Sequence, residues 1–270
     1  MPELPEVETI ARDLRAALIG QSVVDVFIVN ETIVEPERDY DVAQLIGKRI
    51  KHIDRRGKNL LLYFEYGLAI ICHLKMTGRL IVDNTEKNHD KHLHFWIQFE
   101  KNRLLFYDTR KFGRICFISE KRIGRHARLA RLGPEPFDIT NTRFAQVVKA
   151  RHKAIKLTLM DQEVIAGIGN IYADESLFAA GIRPTRKSST VSRQQLLRLH
   201  WHVRQTLQKA LDNRGSSVND YLDGNGRKGN FQNLIEVYGR TGAACRRCGT
   251  TIKRIILGGR STHYCPHCQR

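Results

Sequence analysis

No stretch of this chain is apolar for anything close to the ~20 consecutive residues that a membrane-spanning helix requires. No basic-then-apolar leader stands ahead of its acidic first residues. The expectation is a soluble protein of the cytoplasm. Repeats at a fixed period and low-complexity tracts are also missing, which excludes solenoid and fibrous architectures. Acid is scarce: 28 Asp+Glu face 45 Lys+Arg, a formal net charge of +17, with a pI near 9.9. A field of that sign draws polyanions, and phosphate neutralisation with counterion release supplies most non-specific nucleic-acid affinity. An anionic membrane surface is the competing partner, and the lack of an apolar anchor argues against it.

What is present is enough for more than one core. The 270 residues are 41% hydrophobic, a length that allows two domains and a small appendage. After a first helical run, seven short segments read as strands, at 22–29, 49–54, 59–65, 68–74, 92–99, 103–107 and 114–118. Such a succession predicts an antiparallel sandwich or barrel, with the polar stretch 83–91 as an exposed loop. Gly133-Pro134-Glu135-Pro136 is the clearest break. Beyond it the spacing turns helical, over 142–151, 155–162, 171–180 and a long 193–213. Residues 223–229 have the glycine content of a mobile loop.

Of six cysteines, Cys72 and Cys116 stand alone inside apolar runs and read as buried thiols. The other four form Cys245-Arg246-Arg247-Cys248, then 16 residues, then Cys265-Pro266-His267-Cys268. This separation suits a tetrahedral four-cysteine zinc site; two disulfides or a redox pair are the alternative, disfavoured in a reducing compartment. Four thiolates, from Cys245, Cys248, Cys265 and Cys268, close the coordination shell and leave no place for a water. The expected cofactor is therefore one structural Zn2+ that takes no part in chemistry. Between the pairs, 250–257 and 261–264 suit a β-hairpin around Gly258-Gly259-Arg260. Residues 240–270 hold seven Lys+Arg and no acid. The module suits DNA, as it would a ribbon in a transcription or translation factor.

The first eight residues, Met1-Pro2-Glu3-Leu4-Pro5-Glu6-Val7-Glu8, carry two readings. One is a helix start: proline fits the first turn, and Glu3, Glu6 and Glu8 sit where the macrodipole favours negative charge. Val7, Ile10, Leu14, Ala17 and Leu18 then follow at helical spacing until Gly20. The other is chemical. If Met1 is removed, the Pro2 nitrogen becomes a secondary amine beside the Glu3 carboxylate. An α-amino group has a pKa of ~8 against ~10.4 for lysine, and a neutral amine can form a Schiff base with an electrophilic carbon.

The opening PELPEVETI resembles the N-terminus of the formamidopyrimidine-DNA glycosylases, base-excision repair enzymes. Four further stretches are similar to that family in matching order: Arg56-Gly57-Lys58-Asn59-Leu60-Leu61, His73-Leu74-Lys75-Met76-Thr77-Gly78, Asp108-Thr109-Arg110-Lys111-Phe112-Gly113 and Gly167-Ile168-Gly169-Asn170-Ile171-Tyr172-Ala173-Asp174-Glu175. Lys75 and Thr77 stand where many members have glycine and serine, and Thr109 and Lys111 where many have proline and arginine. The resemblance implies a multidomain α+β fold: an N-terminal helix plus β-sandwich over 1–132, a helix-two-turn-helix DNA-binding domain over 133–235, and a zinc finger over 236–270. It implies a monomer acting on double-stranded DNA that contains an oxidised base. Pro2, Glu3, Lys58 and Arg260 are then the catalytic residues. Met76, Arg110 and Phe112 fill the gap left by an extruded base. His92, Arg151, His152, Lys153, Lys156 and Asn170 hold phosphates, Glu6 lines the base pocket, and the loop near Arg227 covers the base.

Two rival functions remain at this level. The endonuclease VIII class shares nucleophile and architecture but prefers oxidised pyrimidines; the PELPEV start and the Met76, Arg110 and Phe112 set favour the purine enzyme. A non-catalytic binder of damaged DNA fits the charge and the zinc finger equally well, and only Pro2, Glu3 and Lys58 speak against it.

Overall fold

The computed structural model describes residues 1–36, 39–83, 90–218 and 221–270. It divides into two compact units, Met1–Ala130 with Asn213–Gln232, and Arg131–Asp212 with Asn233–Arg270. Residues 213–232 thus fold with the N-terminal part of the chain, and the cysteine module shares a unit with the helices. Among the described residues no helix is long and apolar enough to cross a membrane.

The first unit opens with α1 (Leu4–Leu18), whose buried Leu4, Val7, Ile10, Ala11, Leu14 and Leu18 recur every three or four residues. Full burial of such side chains contributes ~1.5–3 kcal/mol each. Helix propensity differences are only tenths of that, so packing decides that this segment is helical. Gly20, at φ +81°, ends the run. The strands follow: β1 (Val23–Ile28), β2 (Ile50–Arg56), β3 (Asn59–Phe64), β4 (Leu68–His73), β5 (Gly78–Asp83), β6 (Leu93–Phe99), β7 (Arg103–Asp108) and β8 (Arg114–Ser119). They form two antiparallel four-stranded sheets, ordered β1-β6-β7-β5 and β2-β3-β4-β8. The inner faces and α1 share one core, with Phe64, Phe95, Phe99, Phe106 and Phe117 at its centre.

The expected sandwich is therefore present, with one strand that the sequence reading does not assign. β5 pairs with β7 from Gly78 opposite Asp108 to Asp83 opposite Arg103. Of the polar stretch expected as a loop, residues 84–89 lie outside the described residues. A short α2 (Ala127–Ala130) ends the first segment of this unit.

The second unit contains α3 (Asn141–Lys149), α4 (Ile155–Leu159), α5 (Asn170–Ala180) and α6 (Arg193–Asp212), then the hairpin β9 (Lys253–Leu257) and β10 (Arg260–Tyr264). α5 is buried on every side, Asp174 and Glu175 included, and packs against α4, α6 and β10. α4 is shorter than its sequence suggests. The chain leaves the helix after Leu159 and turns back through residues 160–169, where the Gln162 side chain donates to the carbonyls of Met160 (2.9 Å) and Ile168 (2.8 Å) and accepts from Gly167 N–H (2.9 Å). One amide side chain thus ties the start of the connecting loop to its end.

Candidate active site and zinc module

Pro2 and Glu3 are buried at the head of α1. Glu6, one turn on, has both carboxylate oxygens engaged by backbone donors: Oε2 accepts from Glu3 N at 2.8 Å and Oε1 from Ser216 N at 2.8 Å. It is 2% exposed. The Glu6 carboxylate thus fixes the backbone next to Pro2. Lys58 is buried at the β2–β3 turn, 5% exposed. That turn is tied to α1 through Arg55, which donates to Gly57 O (2.9 Å) and to Glu8 Oε2 (3.2 Å). Burial pushes the Glu8 carboxyl up, but hydrogen bonds and charge from Arg15, then Arg55 and Arg12, outweigh it and hold it below the usual range.

His73, at the end of β4, was not singled out from the sequence. Burial, then the ammonium groups of Lys75 and Lys58, lower its pKa from 6.5 to about 3. Its neutral Nδ1 accepts from Lys75 N at 2.9 Å. An unfolded histidine takes up a proton near 6.5 while the folded one does not, so the stability that neutral His73 allows is whole above that pH. As pH falls toward about 3 the loss approaches ~1.4 kcal/mol per unit. His73→Gln is expected to flatten the acid limb of urea-measured stability over this window.

Two turns present the expected wedge residues. Met76 is 36% and Phe112 47% exposed, and the Arg110 guanidinium lies 4.7 Å from the Phe112 ring centre. Both turns are fastened by Asp108, fully buried, which accepts from Thr77 Oγ1, Arg110 N (3.1 Å) and Gly113 N (2.7 Å). Each turn also carries a lysine in the left-handed region, Lys75 at φ +52° and Lys111 at φ +57°, a conformation that costs ~1–3 kcal/mol without glycine. Asp108's charge-assisted bonds, roughly 1.5–3 kcal/mol each, are large enough to hold it. His92, half-buried, borders a cavity of about 420 Å3 with Tyr107, Thr109 and Asn225.

In the second unit Arg151, His152 and Lys153 are exposed ahead of α4, and Lys153 is ion-paired with Asp161. Asn170 begins α5, where backbone N–H groups suit an anion. Arg260 is exposed at the first position of β10, after Gly258 (φ +55°) and Gly259 (φ +71°). Lys156 departs from expectation. It is 0% exposed, its Nζ 2.7 Å from Asp174 Oδ1 and donating to Ser261 O (2.8 Å) and Thr262 Oγ1 (2.9 Å). It cannot reach a phosphate; it joins α4, α5 and the hairpin. Glu175, beside Asp174, accepts from the N–H groups of Glu236, Val237 and Tyr238, all at 2.9 Å.

The four cysteine sulfurs lie within 4.8 Å of one another. The sulfurs are 4.0 Å apart for Cys245–Cys268, 3.5 Å for Cys248–Cys265 and 3.4 Å for Cys248–Cys268. A tetrahedron with Zn–S bonds of ~2.3 Å has edges of about 3.8 Å, so the donors fit the metal. Cys245 and Cys265 also pack with Phe178, Val237 and Ile252, which couples the metal to the helical core. Elemental analysis is expected to give one zinc per chain. Chelation is expected to melt the module and abolish duplex binding, since structural zinc supplies folding energy directly.

A second group, Glu35, Cys116 and His126, is also within 4.8 Å, on a cavity of about 670 Å3. Glu35 is already held by Arg128 and by His126 at 3.0 Å. Lys75, Arg114, Arg122 and Arg125 line the same walls, a field that repels a cation.

The architecture is thus a helix-led β-sandwich with two exposed turns, a helix-two-turn-helix unit and a hairpin whose four cysteines fit zinc. Three domain families match the chain in that order: the formamidopyrimidine-DNA glycosylase N-terminal domain over 1–115, the formamidopyrimidine-DNA glycosylase H2TH domain over 132–221, and the zinc finger found in FPG and IleRS over 242–270. The formamidopyrimidine-DNA glycosylase of Desulfitobacterium hafniense is 40% identical over 272 residues, covering 100% of both chains. Lactococcus lactis Fpg in complex with abasic-site DNA superposes with a TM-score of 0.93 at 35% identity, covering 99% of each chain. Its complex with Fapy-dG containing DNA gives 0.91 at 35%, covering 99% of this chain and 100% of that one. The chain belongs to the formamidopyrimidine-DNA glycosylase family: it is a DNA glycosylase of base-excision repair that carries a structural zinc.

Proposed function

We propose that this glycosylase is bifunctional: it excises oxidised purines, 8-oxoguanine and formamidopyrimidines, from duplex DNA and then cuts the strand as an AP lyase. It works as a monomer in the cytoplasm. The lesion nucleotide leaves the stack, at a cost of a few kcal/mol, while Met76 and Phe112 replace lost stacking and Arg110 offers donors to the orphaned base. His92, Arg151, His152, Lys153 and the α5 start at Asn170 grip phosphates.

With Met1 gone, the Pro2 nitrogen attacks C1′ and the glycosidic bond breaks, its electron pair leaving with the base. Glu3 supplies a proton as the C1′–O4′ bond opens to a Schiff base. Loss of the C2′ proton expels the 3′ phosphate, with Lys58 as proton donor. Loss of the C4′ proton then expels the 5′ phosphate, with Arg260 in that role. The proton shed by the Pro2 nitrogen balances the one the departing base takes up, and water finally hydrolyses the Schiff base, freeing Pro2 and an unsaturated aldehyde with no redox partner.

The observation that supports this most is the burial of Pro2 and Glu3 at the start of a helix packed on the strands that flank Lys58. The test compares single-turnover excision of 8-oxoguanine opposite cytosine with that of thymine glycol. The purine is expected to be released at least tenfold faster. The reverse order would assign the endonuclease VIII specificity, and tight binding with no cleavage of either would make the chain a binder only.

A further inference from the structure

The segment after α6 has no place in the chemistry above, yet it touches the site. Ser216 N–H reaches the Glu6 carboxylate, and Tyr221 Oη donates to Glu6 O at 3.4 Å. Glu6 in turn holds the N–H of Glu3. What fixes Ser216 is the residue pair before it. Gly215 lies at φ +80° and Arg214, not a glycine, at φ +58°, so two successive residues occupy the left-handed region and one of them is strained there.

The Arg214 side chain is spread between two acids. Its Nη2 donates to Asp13 on α1, at 2.8 Å to Oδ1 and 2.6 Å to Oδ2. Nε and the same Nη2 donate to Asp223 Oδ2, at 2.8 and 2.5 Å. The Asp13 side chain is 8% exposed and that of Asp223 wholly buried, while that of Arg214 is 43% exposed, so the guanidinium lies on the solvent side of both acids and neutralises them. Asp223 also builds the glycine turn: its Oδ1 accepts from Asn225 N (3.0 Å) and Arg227 N (2.8 Å). Gly224 N donates to Asp13 Oδ2 at 3.0 Å, and its carbonyl accepts from Val82 N at 2.8 Å. A Cβ at Gly224 would fall 2.6 Å from Asp13 Cβ, and one at Gly215 would fall 2.8 Å from Glu6 Oε1. The sequence suggests a mobile loop at 223–229; its first half is instead a built turn bolted to α1.

We infer that Asp13, Arg214 and Asp223 are positioning residues for the N-terminal nucleophile: they lock Gly215 and Ser216 so that Glu6 holds Glu3, and with it Pro2, in place. This rests on the proposal that Pro2 is the nucleophile. Without Arg214, two buried carboxylates that share one nitrogen face each other, and like charges at that range repel. The turn then separates from α1 and the Ser216–Glu6 bond goes with it.

Arg214→Gly tests this, because glycine keeps the backbone conformation freely and removes only the clamp. Single-turnover borohydride trapping on an 8-oxoguanine duplex is measured beside binding to a duplex carrying a tetrahydrofuran abasic analogue and beside thermal unfolding. The variant is expected to trap at least tenfold more slowly, with analogue affinity within about threefold and unfolding still cooperative. Arg214→Lys is expected to recover part of the rate. Adding Asp13→Asn to Arg214→Gly is expected to speed trapping again by removing the repulsion, which a packing role alone would not do. Trapping by Arg214→Gly at the unaltered rate would overturn the inference, as would a further loss in the double variant. Absence of an adduct in the unaltered enzyme would overturn the Pro2 assignment, and this inference with it.

Discussion

With Met1 retained, the enzyme is expected to bind lesion-containing duplex normally and to cut none of it. The Pro2 nitrogen is then an amide, whose lone pair is delocalised into the carbonyl and is no nucleophile toward C1′. Losing a catalytic nucleophile outright reduces turnover by roughly 10³-fold or more, far beyond the tens-fold effects expected at supporting positions. Pro2→Gly in processed protein is a milder change, since a primary amine remains, and an intermediate drop in borohydride adduct is expected. The turns and basic residues proposed to hold DNA lie elsewhere in the chain, so affinity for an abasic-analogue duplex should stay within about threefold. Intact-mass measurement on the same sample fixes whether Met1 is present. Full trapping by protein that keeps Met1 would remove Pro2 from the mechanism. An adduct lost together with duplex binding would indicate that the N-terminal segment supports the fold rather than the chemistry.

Much of the site is legible in the sequence because it lies in contiguous motifs. The cysteine pairs announce their metal by spacing alone, and the turns around Met76 and Arg110–Phe112 stand out through the family resemblance of their motifs. What is not legible is the set of buried acids that hold those motifs in place. Asp108, Asp174 and Glu175 read locally as ordinary charges, yet each accepts at least one bond from a donor far along the chain. For Glu175 the donors are 61 to 63 residues away along the chain, and for Asp174 the His263 N–H is 89 away. A one-dimensional pattern cannot pair them. Glu6 shows the same limit at the catalytic end: the capping arrangement with Glu3 is local, but its second partner, Ser216, is 210 residues on. β5 escaped for another reason. Six residues between a glycine turn and a polar stretch show too little alternation to separate a strand from a loop.

Lys156 is where the pattern misleads most, and where the largest stability effect is expected. In sequence it closes a basic run after Arg151, His152 and Lys153, and a charge run usually faces solvent. The five residues of α4 are too few to display a period, yet four of them, Ile155, Lys156, Thr158 and Leu159, are buried. Lys156→Met is expected to cost about 3–5 kcal/mol of unfolding free energy, the usual effect of stranding one partner of a buried ion pair. Asp174 keeps His263 N–H at 2.9 Å and Nδ1 at 3.2 Å, which accounts for an expectation no larger than this. Asp174→Asn added to Lys156→Met removes the stranded charge, so the double variant should be more stable than the single one. Urea denaturation of the pair and both singles measures this; a double variant that sums the two single losses would mean the contacts act independently. The same change loosens the anchor under Ser261 and Thr262, adjacent to Arg260. Product analysis of Lys156→Met should therefore show the second elimination slowed more than the first, with β-elimination product accumulating before the δ-elimination product. Equal slowing of both steps would confine Lys156 to stability.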